Sequence, residues 1–568
     1  MKSNKGITLI ALIITIIIML ILVGVVTNII IKTQLLEVAK DATTRWNSAQ
    51  MNESKSIDEV DKLIDEIVYN KVEPTEMYAA LYSDGTLVFY KSSENILNER
   101  NGATLVKQTE NISDTQELSE DELKALLFWV GDQDQADQIT SVVIAEEIAP
   151  KSAKRLFMNL KNVESITDLN KLNTCNVTTM LGMFCNCSKL KNIDLSRFNT
   201  EKVTAMDSMF YGCSSLTNID PSLFDTKNVT SMYTMFAHCT SLEKLNVSNF
   251  NTENVTKMQG MFYNCSNLQN ADVAHFNTKN VISMDSMFCG CSKLEKIDVS
   301  NFNTSNTTIM SLMFYNCSNL KQLNVNNFNT EKVTTMRSMF LNCSKLEEID
   351  ISNWNTSNVE DMSWMFAGDD YGNPKNTMIL KQIIGIEDLD VSNVKSMDRM
   401  FRHCHELTSL DLHKWNVSNV EIMRQLFNSC TSLSELNIGN WDMGNVTNTQ
   451  YMFNNCPKLN STITLSVDNT KLTTYGGTFN GTATDSGCLV TVNYTSSAAE
   501  IIDNIIATKT GNVQKGTQVS NWRWFKNFSF KILVKNHKNL YNSCIWFLGG
   551  VLWRRSFWNF LELLGDFV

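Results

Sequence analysis

Proline is almost missing from this 568-residue chain, at five residues, and its 23 glycines are few. That excludes a collagenous or proline-rich protein. Positive charge is short as well: 49 Lys and Arg stand against 60 Asp and Glu, for a net charge of −11. A general nucleic-acid binder needs a basic surface to displace counterions from phosphates, so no nucleic-acid partner is expected. There is no Cys-x-x-Cys knuckle, phosphate-binding glycine loop, nucleophile elbow or zinc-protease motif. What is present is a hydrophobic share of 43%, ordinary for a folded chain long enough for several domains.

The chain's main content is one phrase written repeatedly. VTSMYTMFAHCTSLEKLNVSNFNTEN (229–254) is followed at once by VTKMQGMFYNCSNLQNADVAHFNTKN. The Phe of the Met-Phe pair falls at 184, 210, 236, 262, 288, 314, 340 and 366, each step being 26 residues. After an insertion placed in GDDYGNPKN (368–376), the period resumes at Phe401, Phe427 and Phe453, with a worn copy at Phe479. Leu245 and Val247 alternate with Asn246 and Ser248, the mark of a short strand. Met232, Met235 and Phe236 share one face of a short helix, with Thr230 as N-cap and Thr204, Thr256 and Thr334 in matching positions. Gln259, three residues after Thr256, completes a capping box. Gly212, Asn264, Gly290, Asn316 and Asn342 precede the repeated Cys and suit a left-handed turn. One such unit buries too little to fix its own backbone, whereas stacked copies share a continuous core. The expected fold is an α/β repeat solenoid of about twelve strand–short helix coils, preceded by a transmembrane helix and a small α+β segment.

The skeleton CSxLxxLxVSxFNTxNVTxMxxMFxx resembles the BspA-type leucine-rich-repeat surface proteins of bacteria over about residues 140–495. The resemblance implies a leucine-rich-repeat-like, surface-exposed array, with some members of that family binding host matrix or plasma proteins.

The ends differ from the array. Lys2 and Lys5 precede an apolar run from Ile7 to Ile31, long enough to cross a hydrocarbon core of about 30 Å. The leading lysines favour an inside N-terminus and place the rest outside. KGITLIALIITIIIMLILVGV resembles the N-terminus of type IV prepilins, which implies cleavage between Gly6 and Ile7; where that family carries Glu at the fifth mature position, this chain has Ala11. Residues 1–32 are thus a prepilin-like leader and transmembrane helix. Residues 33–138 form a small stalk or cap, with helices over 56–68 and 117–130 and a hairpin over 78–90 turned by Asp-Gly. The solenoid takes 139–497, opened by a strand over 139–148, and 498–568 is an extension. After about residue 520 that extension is basic and aromatic, holding five of the chain's eleven Trp.

Ten of the fifteen cysteines lie three residues after the Met-Phe phenylalanine, from Cys187 to Cys456. A line of like-directed thiols neither surrounds a metal nor closes disulfides, so buried free thiols are expected. His403 and His405 flank Cys404 without a matching His in neighbouring coils. The strand's outward position stacks Asp194, Asp220, Asp272, Asp298, Asp350 and Asp411 into an acidic ribbon, with Asn in other coils. A ribbon of near-identical carboxylates offers no pair in unlike environments, so no catalytic residue, metal or cofactor is assigned and a non-enzyme is expected. The column Phe198 to Phe328 turns to Trp at Trp354, Trp415 and Trp441, and these join the ribbon as candidate ligand contacts. The expected function is a membrane-anchored, extracellular repeat protein binding host or matrix proteins or other cell-surface macromolecules. The alternative is a pilin-like or passive stalk.

Overall fold

Successive 26-residue units stack in strict register, so each residue type forms a column along the array. The computed structural model describes residues 72–368, 377–439 and 441–520. Parallel bridges link Thr179, Ala205, Ser231, Lys257 and Ser283, and so on to Thr474, one residue per coil. Short strands such as Lys244–Leu245 pair in parallel with Asn218–Ile219 on one side and Asn270–Ala271 on the other. The result is a β-solenoid of about 14 coils of ~26 residues, more than the repeat motif alone marks. The extra coils come from segments that have lost the motif: the backbone of 153–159 bonds to that of 179–185, and strands Ser461–Leu465, Val490–Thr495 and Val513–Val519 continue the parallel pairing at the far end.

The return leg of each coil is not the expected helix. Among the described residues no α-helix occurs in the coils that carry the Met-Phe motif, the helix Ile502–Ala507 of the last coil lying beyond them; residues 231–239 are mostly a run of turns instead. Met232, Thr234, Phe236 and His238 donate their N–H groups to carbonyls of the next coil, while Met235, Ala237 and Cys239 donate three residues back within their own coil. Half of the donors an α-helix needs are therefore taken by neighbours. Thr204, Thr230, Thr256 and Thr334 cap nothing; each Oγ1 donates to the carbonyl of the equivalent threonine or its counterpart one coil earlier, at 3.2 Å. The left-handed turn before the Cys is present: Gly212, Asn264, Gly290, Asn316 and Asn342 all have positive φ. A second left-handed position, two residues before the Phe, was not foreseen and holds Thr234, Leu312, Trp364 and Arg399 among others.

The FNTxNVT box is a set of bonds between coils. Phe rings of the Met-Phe column stack from Phe184 to Phe479 with centroids 5.3–6.0 Å apart and planes within 1–13°. Buried threonines from Thr200 to Thr356 donate to a carbonyl one coil ahead at 2.8–3.1 Å. Asn228, Asn254, Asn280, Asn306 and Asn358 donate their amides one coil back at 2.7–2.8 Å. This use of the amide accounts for the recurring Asn-x-Thr triplets.

A cap closes the N-terminal end. β1 (Tyr78–Tyr82) and β2 (Thr86–Tyr90) form the expected hairpin, with Gly85 left-handed in its turn. β3 (Glu99–Arg100) and β4 (Ala103–Gln108) extend one side. β5 (Ser141–Ile144) joins β2 to β6 (Ile166–Thr167) in parallel, handing the sheet to the coils. Ser119 and Glu122 make a capping box for the helix Glu120–Leu126. Trp129 is buried, its indole N–H bonded to the Leu156 carbonyl, and Phe89 meets Phe157 at the foot of the Phe column. Among the described residues no helix is long and apolar enough to cross a membrane. The expected anchor over 7–31, the Gly6–Ile7 junction, the helix over 56–68 and the tail after 520 lie outside the described residues.

Candidate binding surface

The expected ribbon divides on inspection. Asp194, Asp220, Asp272, Asp298 and Asp411 are exposed and Asp350 is half-buried. Most of these carboxylates already serve their own backbone. Asp194, Asp220, Asp298 and Asp350 each accept the N–H of the residue two ahead at 3.0 Å, and Asp411 accepts from His413 Nδ1 at 2.7 Å. Hydrogen bonds from Ser196, Ser222, Ser300, Ser352 and His413 hold their carboxyls below the usual carboxylate value. Asp194, Asp220, Asp298, Asp350 and Asp411 thus each close a small turn after a strand position.

The tryptophans are a correction. Trp354, Trp415 and Trp441 are buried, with 6%, 3% and 1% exposure. Their indole N–H groups donate to the carbonyls of Val325, Ile386 and Leu412 at 2.9–3.0 Å. Trp415 and Trp441 stack at 6.0 Å. They belong to the core and are not ligand contacts.

The cysteine column stands as expected. All fourteen described cysteines are free, and all but Cys488 are buried. Each of the ten repeated thiols donates to a Phe carbonyl of the preceding coil at 2.9–3.2 Å. Burial pushes the Cys265, Cys343 and Cys456 thiols up to about 12. His403 Nδ1 lies 3.3 Å from His405 Nε2. Among the described residues no group of three or more His, Cys, Asp or Glu gathers to hold a metal. Surface grooves, such as the one between Asn326 and Asn355, are shallow and open.

The face made by the turn leg is different in kind. Two residues of the Met-Phe motif and the Cys repeat in almost every coil, but the positions between them do not. Three residues before the Phe stand Leu181, Asp207, Tyr233, Gln259, Asp285, Ser311, Arg337, Ser363, Asp398 and Arg424; one residue after it stand Cys185, Tyr211, Ala237, Tyr263, Cys289, Tyr315, Leu341, Ala367, Arg402 and Asn428. In the early coils His238 sits between Tyr211 and Tyr263, ring centroids 5.1 and 5.0 Å away, with Tyr233 exposed nearby in sequence. Burial lowers the His238 pKa below the usual imidazole value.

The densest cluster is in the later coils. Arg399 occupies the same column as Trp364 one coil on, and its guanidinium lies 4.4 Å from the Trp364 ring centroid. Arg402 approaches the same ring at 5.7 Å. Asp398 is nearly buried and accepts from Arg399 Nη1 at 2.7 Å and from Arg424 through Nε and Nη2, both at 2.9 Å. Arg399 Nε also donates to Gln425 at 2.9 Å. Two guanidinium groups thus hold one carboxylate, and a third, that of Arg402, lies against the same Trp ring as Arg399. Sequence reading missed this cluster. Its signal was the variation between copies at fixed positions of the repeat.

No curated protein matches the chain. Among solved structures, it is similar to a leucine-rich repeat protein from Bacteroides ovatus at 16% identity and a TM-score of 0.31, covering 78% of this chain and 99% of that one. A complex of TLR13 with ssRNA13 matches at 12% identity and a TM-score of 0.19, over 68% of this chain and 55% of that one. A family model described as "Mycoplasma protein of unknown function, DUF285" matches residues 151–270, 230–324, 296–383 and 375–488. Those overlapping segments run through the coils from residue 151 to residue 488 and cover more than half of the sequence, so the chain belongs to the DUF285 family of repeat proteins.

Proposed function

We propose that this chain is a macromolecule-binding scaffold of the bacterial surface, anchored by its N-terminal apolar run and presenting the solenoid outward. The observation that carries the reading is the turn-leg face, where side chains change from coil to coil between columns that keep Met, Phe and Cys. A flat surface of that kind suits a macromolecule better than a small substrate, which needs a concave site. The resemblance to BspA-type proteins adds adhesion to host or matrix proteins, or to other cells, as the role. On this reading the protein is not an enzyme and takes no cofactor. A second reading, a pilin-like or passive stalk, has the Gly6–Ile7 junction in its favour and Ala11 against it.

The test is binding by the whole chain, displayed on cells, to a broad panel of matrix proteins, plasma proteins and partner cells. Saturable binding to at least one member is expected. A panel with no saturable partner contradicts the scaffold reading and leaves the stalk.

A further inference from the structure

We propose that Tyr211, Tyr263 and Tyr315 form a platform for an extended, neutral polysaccharide chain, each ring meeting one face of a sugar. The inference rests on the scaffold reading and names the chemistry of one of its contacts. The three tyrosines stand one residue after the Phe in alternate coils, and each is half-buried. Between them the same column drops to Ala237 and Cys289, both buried. The rings are thus raised every second coil. His238 stands in the first gap, with Tyr211 and Tyr263 meeting its ring edge-on at 67° and 68°. Asn264 steadies that imidazole, its amide N–H donating to Nδ1 at 3.1 Å. In the neutral ring the remaining N–H then lies on Nε2, a donor for a sugar oxygen. Four residues earlier on the same leg runs a second column that offers acceptors for sugar hydroxyls. Asp207 and Asp285 are half-buried there, and Gln259 Oε1 has no hydrogen-bond partner among the described residues.

Spacing and charge choose among long partners. Two coils measure roughly 10 Å at the parallel-strand spacing. In an extended chain of β-linked pyranose sugars, every second ring presents the same face at a step close to that. An extended peptide repeats a face every two residues, about 6.7 Å, and slips out of register with the tyrosines at once. A polyanion needs cations along its path, whereas this strip is flanked by Asp207 and Asp285 on a chain of net charge −11. Sugar C–H groups suit the electron-rich face of a phenol ring, and a Tyr gives that face at low cost in side-chain freedom.

The test uses the whole chain with fluorescently labelled cellohexaose and chitohexaose, two neutral β-linked chains, read by anisotropy. Maltohexaose, which curls because its links are α, and an acidic oligogalacturonate serve as comparisons. At least one of the two β-linked chains should bind saturably, about tenfold tighter than either comparison. Its affinity should climb with length up to about five sugars, because three rungs span four coils, roughly 19 Å. Tyr263→Ala should lose about tenfold with the thermal midpoint nearly unchanged, while Tyr263→Phe keeps the ring and loses about twofold at most. Tyr451→Ala removes an exposed Tyr elsewhere on the array and should bind like the original chain. Failure of both β-linked chains to bind, equal binding of maltohexaose, or a Tyr263→Ala variant that binds fully would overturn the platform. Tighter binding of the oligogalacturonate would overturn it in favour of an acidic polymer. A protein of the adhesion panel that is lost on Tyr263→Ala, with neither β-linked chain bound, also overturns the platform and leaves the scaffold reading in place. Oligosaccharide binding through the tyrosines with an empty panel supports the platform and removes only the adhesion to proteins.

Discussion

The aspartate ribbon and the Trp364 cluster are both charged and both on the surface, yet they differ in what their charges are used for. The ribbon recurs in coil after coil, and its carboxylates close turns of their own strands. The cluster occurs once, draws on columns that change from coil to coil, and sets two guanidinium groups on one nearly buried carboxylate. Repetition in a solenoid marks the residues that build it. On the scaffold reading proposed above, departure from repetition marks the residues that recognise a partner. The buried tryptophans make the point from the other side: they vary the Phe column, but each gives its indole N–H to a carbonyl one coil back and stays in the core.

The contrast can be broken first at its structural side, where effects are largest. Phe262 stacks between Phe236 and Phe288 and is fully buried. Phe262→Ala should cost about 3–5 kcal/mol in urea unfolding, and a loss below 1 kcal/mol would mean the column is not the core. Thr252 comes next. Its hydroxyl donates to the Asn277 carbonyl at 3.1 Å and accepts the Asn277 N–H at 2.8 Å. Thr252→Val leaves both groups unmet and should cost about 1–3 kcal/mol.

Thiol chemistry sharpens the same side. With the column thiols buried and raised toward 12, native protein should not react with Ellman's reagent at Cys265, Cys343 or Cys456 at pH 8. The same thiols should react once the chain is unfolded, and peptide mapping of the modified sites checks it. Modification in the native state, or a disulfide between distant coils, would contradict the stacking.

The smallest effect belongs to the ribbon. Asp194, Asp220, Asp298 and Asp411 have pKa values lowered from 3.8. In the unfolded chain these carboxyls therefore bind protons more readily, and their contribution is present above the ordinary carboxylate value and lost as pH falls through the lowered one. All four are largely open to solvent, so screening keeps the contribution small. Asp298→Asn should leave stability at pH 7 almost unchanged and slightly flatten its fall in acid, measured by thermal unfolding between pH 2 and pH 5.

Much of this fold was legible in the sequence. The period gave the stacking, the alternation at Leu245 and Val247 gave the strand, Gly212 and Asn264 gave the left-handed turn, and Asp84-Gly85 gave the hairpin. The return leg was misread because Thr230, Met232, Met235 and Phe236 sit at a spacing that a helix and a turn run both satisfy. What decides between them is where the N–H groups of Met232, Thr234 and Phe236 go, and they go to the next coil. That is a contact between copies, which local periodicity does not contain. The Trp columns were misplaced for the same reason, since the acceptor of each indole lies 29 residues away. The cluster left no periodic mark in the sequence, because Trp364 and Arg402 each stand where every other copy of the repeat carries a different residue.

One measurement separates the two surfaces directly: binding to the panel of matrix proteins, plasma proteins and partner cells by the triple variant Asp194→Asn, Asp220→Asn, Asp298→Asn, set beside that of Arg402→Gln. If recognition belongs to the face that varies, the ribbon variant binds as well as the original chain and Arg402→Gln binds about tenfold worse. Lost binding in the ribbon variant, with Arg402→Gln unaffected, would place recognition on the repeated face and contradict the division drawn between the two.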